Sequence, residues 1–232
     1  MNKSTGATYK KYFTLSMDDG AEHDKRYIEL MKKHGLSGTF NISAGMFGKC
    51  HKMAHINHIP KDEIRQVYAG FEVASHGYMH EMYRYMSKVK TIHSLSEDRR
   101  ELSELMGYDI VGHAYPYDMS TPAAEDFLRS HNYLYTRKAL GKKPLFYFPD
   151  DPLRFIATCS YTAKNVMELL ELFIQTQPTN GDMLFMMWGH SWEMENGFPR
   201  KCPEPEVERI FSKIAGRDDI VYCTNREAFS RI

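Results

Sequence analysis

Four places along the chain set ionisable or aromatic side chains where an apolar stretch stops. They are Ser16-Met17-Asp18-Asp19-Gly20, Ser75-His76-Gly77-Tyr78-Met79-His80, His113-Ala114-Tyr115-Pro116-Tyr117-Asp118 and Met187-Trp188-Gly189-His190-Ser191. Two histidines and one carboxylate are a common ligand set for a catalytic divalent ion, with positions left open for water and substrate. His76 and His80 have the spacing that puts two imidazoles on one side of a helical turn or tight loop, and Asp18 or Asp19 can supply the carboxylate. Successive side chains at a strand end diverge, so one aspartate can ligate while its neighbour addresses bound water. Such a set suits hydrolysis of an acetamide. The ion acidifies water and draws charge from the carbonyl oxygen. Asp18 can take the water's proton, and a protonated His190 can give one to the leaving nitrogen. Each fragment alone also has a bland reading. Asp-Asp-Gly is a turn, a histidine pair is ordinary surface or core, and Tyr78, Tyr115, Tyr117, Trp188 and Trp192 serve equally as core or as platforms for a sugar face.

Strands must deliver those side chains, and the hydrophobic periodicity supplies them. Residues 12–17, 39–43, 71–75, 111–115, 133–136, 183–188 and 220–223 read as strands. Residues 24–34, 60–68, 95–106, 122–130, 163–176, 204–215 and 226–230 read as helices, with Gly35 ending the first, Pro60 opening the second and Ser94 or Ser96 capping the third. This alternation predicts an α/β fold with a mostly parallel sheet covered by helices. About seven strand–helix units over such a length suit an irregular (β/α) barrel near the TIM size, with an open doubly wound sheet as the alternative. In that architecture the carboxyl ends of the strands converge on one face, where sites are built. Segments 141–158 and 193–205 are irregular and rich in proline and aromatics, as loops that shape a site often are.

Composition narrows the partners. The 232 residues are 42% hydrophobic and 26% charged, which excludes disorder, collagen and coiled coil, and the length predicts one domain over residues 1–232. Lys plus Arg and Asp plus Glu are 30 each, so no net field attracts nucleic acid or an anionic membrane surface. No apolar run is long enough to span a bilayer and the first fifteen residues show no signal core, so the expected location is the cytoplasm. Cys50, Cys159, Cys202 and Cys223 are scattered without a Cys-x-x-Cys pair, which predicts reduced and mostly buried thiols.

Taken together, these residues resemble the polysaccharide deacetylase family, carbohydrate esterase family four with its NodB-homology domain, over nearly the whole chain from Tyr12 to Phe229. The family's Thr-Phe-Asp-Asp-Gly motif is matched by Ser16-Met17-Asp18-Asp19-Gly20, and its His-Ser/Thr-x-x-His motif by His76-Gly77-Tyr78-Met79-His80. The resemblance implies that Asp19, His76 and His80 bind one divalent ion, zinc first with cobalt, nickel or iron as alternatives, and that Asp18 is the general base. The Arg-x-Pro-Tyr-Gly motif departs to Ala114-Tyr115-Pro116-Tyr117-Asp118; its arginine is missing, while the Tyr117 amide is implied for an oxyanion hole. The fourth motif has only a loose match at Asp151-Pro152-Leu153-Arg154-Phe155. The fifth is similar to Trp188-Gly189-His190, which implies His190 as general acid. The run Trp-Gly-His-Ser-Trp-Glu marks a divergent branch that tends to carry an arginine on the strand near 133–137. Arg137 is therefore expected to replace the missing guanidinium and contact Asp18. The implied substrate is an N-acetylated amino sugar or oligosaccharide. A small amide or ureide, as in allantoinase-like relatives, and a non-catalytic carbohydrate-binding relative are the alternatives, and the oligomeric state stays open.

Overall fold

A computed structural model describes residues 9–51, 56–196 and 201–231; the expected loop at 193–205 therefore lies partly outside the described residues, as does the stretch 1–8. The strands are β1 (Lys11–Asp19), β2 (Gly38–Ile42), β3 (Cys50–His51), β4 (Ile56–Asn57), β5 (Glu72–Ser75), β6 (Gly112–Ala114), β7 (Tyr135–Lys138), β8 (Phe155–Ile156), β9 (Cys159–Ser160), β10 (Met183–His190) and β11 (Ile220–Tyr222). The helices are α1 (Asp24–Lys33), α2 (Ile64–Val67), α3 (Lys88–Met106), α4 (Pro122–Ser130), α5 (Val166–Gln175), α6 (Glu193–Asn196), α7 (Glu204–Ile214) and α8 (Asn225–Phe229).

Nine strands form one sheet in the order β8-β7-β6-β5-β2-β1-β10-β9, with β11 pairing the first half of β1; β3 and β4 make a separate hairpin. Every pairing in the large sheet is parallel. The sheet curls into a barrel, as the alternation of elements predicts. Its two edges are short strands of a single chain segment. The segment pairs β7 through Phe155 and Ile156, then crosses and pairs β10 through Cys159 and Ser160. The expected irregular stretch 141–158 thus ends in the stave that spans the gap.

β1 shows how the sequence builds two cores. It is buried on both faces. Phe13, Leu15 and Met17 point to the helix layer, where they pack with Tyr27, Met31, Phe185 and Phe211. Tyr12 points the other way and joins Leu184, Met186, Tyr135, Phe155 and Phe229 inside the barrel. Thr14, Ser16 and Asp18 share that inner face by alternation, so the interior changes from apolar to polar toward the strand's end.

The helices differ from expectation where tertiary contacts override pattern. The third helix starts at Lys88, capped by Ser87 accepting from the Lys90 amide, and not at Ser94 or Ser96. Its first turns carry little apolar periodicity, and Ser94 turns inward to accept from the Tyr78 amide at 3.0 Å. The expected helix at 60–68 shrinks to α2, and the strand at 133–136 shifts to Tyr135–Lys138, which places Arg137 inside it. Cys202 and Cys223 are buried, Cys159 is half-buried and Cys50 is exposed. No helix among the described residues is long and apolar enough to cross a membrane.

Candidate active site

The carboxyl ends of β1, β5, β7 and β10 bring Asp18, Asp19, His76, His80, Arg137 and His190 together. Strand register does much of this: Asp18 lies directly opposite His190 on one side and Asn41 on the other. Past Ser75 the chain leaves β5 in a tight loop rather than a helix. Gly77 turns it at φ 75°, and a Cβ there would sit 2.7 Å from the Tyr83 hydroxyl, so the turn needs glycine. Asp98 of α3 fixes the loop's entry by accepting from the Ala44 amide (2.8 Å), the Ser75 hydroxyl (2.7 Å) and the His76 amide (3.1 Å).

Asp19 Oδ1 lies 3.4 Å from His80 Nε2 and 3.7 Å from His76 Nε2, and the three ligand atoms all fall within 4.8 Å of one another. Donors about 2.0–2.2 Å from a tetrahedral ion are separated by roughly these distances, so the three residues fit a divalent metal. The tautomer agrees. His76 Nδ1 donates to the Ala114 carbonyl at 2.8 Å, so Nε2 is the ring nitrogen turned toward Asp19. Asp19 and His80 hold positive φ, 84° and 53°, a conformation that a non-glycine residue adopts only where its surroundings impose it. Burial pushes His80 down to about 4, with Asp19 only partly offsetting it. That keeps the imidazole neutral, as a ligand must be. Burial works to raise Asp19 too, but His190, His80 and His76 outweigh it and hold the carboxyl far below the usual range.

Behind the ligand trio, Asp18 is 3% exposed. The Arg137 guanidinium donates to its Oδ1, and Asn41 Nδ2 donates to the same oxygen at 2.8 Å. Burial would raise Asp18, yet Arg137 first and then His76 and His190 overcome it, so the carboxyl lies below its ordinary value. Arg137 is itself 1% exposed and stacks on the Trp188 ring, its guanidinium carbon 5.5 Å from the centroid.

His190 sits across from this pair, its Nε2 4.0 Å from Asp19 Oδ2. Glu193, 3% exposed, accepts from the His190 amide at 2.9 Å and holds Oε1 3.5 Å from His190 Nδ1. Burial would lower the imidazolium, but Asp19 and Glu193 outweigh it and hold His190 up at about 9. Gly189 makes room for this arrangement, since a Cβ there would lie 2.3 Å from the Tyr161 ring, whose hydroxyl donates to the His190 carbonyl at 2.7 Å. Ser191 and Tyr68 then tie the following turn to the buried carboxylate of Asp24.

The remaining expected residues divide. Tyr117 lies at the mouth, 40% exposed, with φ 52° and its ring centroid 4.6 Å from that of His80. Asp151 is not brought into this group. It caps a short turn by accepting from the Leu153 amide and pairs with Arg129 and Arg154 on the surface, while the carboxylate at His190 is Glu193. Of the aromatics, Tyr115 is core, Trp192 donates to Asp19 Oδ2 at 2.8 Å, and Tyr117 remains open at the mouth. Sequence reading gave no role to Glu193 or Asn41. Glu193 was visible as the last residue of Trp-Gly-His-Ser-Trp-Glu, and Asn41 as a polar residue on the same strand face as Thr39.

A family model described as polysaccharide deacetylase matches residues 5–136. No curated protein matches the sequence. Among solved structures, this chain is similar to Puue allantoinase at 14% identity and a TM-score of 0.68, covering 96% of this chain and 89% of that one. It is similar to a family 4 acetyl xylan esterase from Clostridium thermocellum in complex with a cobalt ion, at 15% identity and 0.60, covering 96% and 91%. It is also similar to a CE4 family pseudoenzyme from Bacillus anthracis, at 15% and 0.58, covering 95% and 66%. At such identities these likenesses are of fold alone.

Proposed function

The chain belongs to the polysaccharide deacetylase family, and on that premise we propose that it is a metal-dependent hydrolase that removes the N-acetyl group from an amino sugar or oligosaccharide. The observation that carries this reading is the placement of two differently held groups around one ligand trio. Asp18, anchored by Arg137, lies next to Asp19, and His190, anchored by Glu193, faces Asp19 from the other side.

Asp19, His76 and His80 would hold a divalent ion, zinc first, which when bound would supply an acidified water and polarisation of the acetyl carbonyl. The chain's own residues do the rest. Asp18 is kept ionised by Arg137, so it can accept the water's proton. His190 in its protonated form can donate to the leaving nitrogen, and Glu193, with Oε1 3.5 Å from Nδ1, favours that form. The Tyr117 amide is the proposed second donor for the oxyanion, and the open Tyr117 ring a surface for a sugar face. Arg137 takes the place of the arginine that position 114 lacks, reaching the same carboxylate from the neighbouring strand.

The test is acetate release from N-acetylated mono- and oligosaccharides by chelated protein, with zinc, cobalt, nickel or iron added back singly. Metal-restored release supports the proposal. Cleavage of a ureide or small amide in place of the sugar would move the substrate to the second reading. Saccharide binding with no turnover under any metal would leave a non-catalytic relative.

A further inference from the structure

Asn41 of β2 stands opposite Asp18 in the parallel register, is fully buried, and has no counterpart in the metal trio or the acid. Its Nδ2 reaches three acceptors: Asp18 Oδ1 at 2.8 Å, Ser16 Oγ at 3.0 Å and the Met17 carbonyl at 3.2 Å. The amide's orientation is fixed by these neighbours. Flipping it would aim Oδ1 at a carboxylate and a carbonyl, which can only accept. Ser16 Oγ also accepts from Asn225 Nδ2 at 3.0 Å, and Asn225 Oδ1 accepts from the Thr14 hydroxyl at 2.9 Å. The Asn225 amide N–H donates to Thr39 Oγ1 at 2.9 Å, and Thr39 donates onward to Glu72 at 2.6 Å. The Asn41 side chain is thus the top of a buried column of hydrogen bonds that runs from the last helix to the aspartate.

We propose that Asn41 is a positioning residue for Asp18: together with Arg137 it saturates Oδ1, so that Oδ2 is the oxygen that takes the proton from water. Among the described residues both side-chain donors to Asp18 go to Oδ1. A carboxylate gripped at one oxygen by donors from two different strands can neither rotate nor exchange its oxygens. Arg137 supplies charge and Asn41 supplies the second direction. A neutral amide does this without adding a second cation beside the metal-binding residues.

The inference rests on Asp18 being the base, so the experiment carries a control for that reading. On the metal-loaded protein with a substrate that wild type turns over, Asn41→Leu removes both N–H groups at nearly constant volume. The expected result is a fall in kcat of about 10- to 100-fold, the cost of a misplaced reacting group, with KM and bound metal unchanged. A folded Asn41→Leu whose kcat stays within about threefold of wild type, well below that range, overturns the role. So does a fall traced wholly to lost metal. Asp18→Asn is run beside it: an active Asp18→Asn removes the base assignment itself, whereas an inactive one with a fully active Asn41→Leu removes only the role of Asn41. Should Asn41→Leu fail to fold, Asn41→Ser, smaller and still polar, takes its place with the same expected fall. A crystal structure of the wild-type protein decides independently: an Asn41 amide nitrogen more than about 3.5 Å from the Asp18 carboxylate overturns the proposal.

Discussion

Asp18 at the barrel's mouth on β1 and Glu72 at its floor on β5, two staves separated by β2, are buried to a similar degree, 3% and 6% exposed. Both accept hydrogen bonds, yet their protonation is pushed in opposite directions. Glu72 is met by neutral donors, the Thr39 hydroxyl (2.6 Å), the Arg226 amide (2.7 Å) and the Tyr135 hydroxyl (2.9 Å). Burial wins there and raises the carboxyl to about 7. At the mouth a guanidinium joins the neutral Asn41 amide as donor, imidazoles add their charge, and the carboxyl is held down. Burial is common to both places, so the difference comes from the charge of the partners. The mouth keeps its carboxylate ionised, as the proposed base requires, whereas the floor tolerates a proton.

The largest expected effect is at the mouth. Asp18→Asn keeps the shape but cannot accept a proton, so turnover should fall by about 100- to 10,000-fold with metal content intact. Acetate release beside metal analysis measures both, and a variant near wild type would make Asp18 as structural as Glu72. Next is the pair itself. Arg137→Met leaves Asp18 buried without its cation, which should cost about 3–5 kcal/mol at neutral pH in denaturant unfolding. The loss should shrink in acid as Asp18 protonates; an equal loss at every pH would mean that packing on Trp188, not charge, is what Arg137 provides.

The floor is tested by pH. Glu72 is raised in the folded state, so its stabilising share is full below the ordinary glutamate value and is lost as pH rises toward about 7. At 1.36 kcal/mol per unit the loss is at most about 3 kcal/mol. Asp24 and Asp98, both raised to about 7 by burial, add to the same window. Asp18 and Asp19 are lowered and act oppositely, losing stability as pH falls below the usual aspartate range. Melting temperature should therefore peak in mild acid, and Glu72→Gln should flatten the fall between there and neutrality. An unchanged slope would remove Glu72 from the explanation. The smallest effect is expected at α8, which presents Asn225 to the floor. Its start is a reciprocal cap between Thr224 and Glu227, and Thr224→Ala should cost about 1 kcal/mol with little change in turnover.

The mouth was more legible in the sequence than the floor, for a physical reason. Asp18, Asp19, His76, His80 and His190 interrupt apolar strands at their ends, where a polar residue has no packing purpose, and the local pattern exposes them. Arg137 was legible only through the resemblance, which shows that position 114 lacks the motif's arginine and that the branch carries one near 133–137. Glu72 and Asn41 lie within strands, and one sequence does not reveal that their faces point into a polar half of the interior. The start of α3 is not marked in the sequence because its first turns bury small polar side chains, Thr91 and Ser94, in place of an apolar stripe. Asp151 misled because an Asp-Pro turn satisfies a loose motif while its carboxylate serves a cap and a surface pair.

The segment that joins the barrel's two edges has a kinetic consequence. It is bonded to β7 through Phe155, Ile156 and the Ala157 amide, and to β10 through the Thr158 amide, Cys159, Ser160 and the Tyr161 amide. Elsewhere β1 and β10 run together for most of their length. The barrel thus has a seam, held by a few hydrogen bonds. Opening along it would expose Trp188 and Phe155 before β1 yields. Amide exchange at Ala157 and Thr158 should therefore report a partial unfolding that leaves the β1–β10 ladder protected.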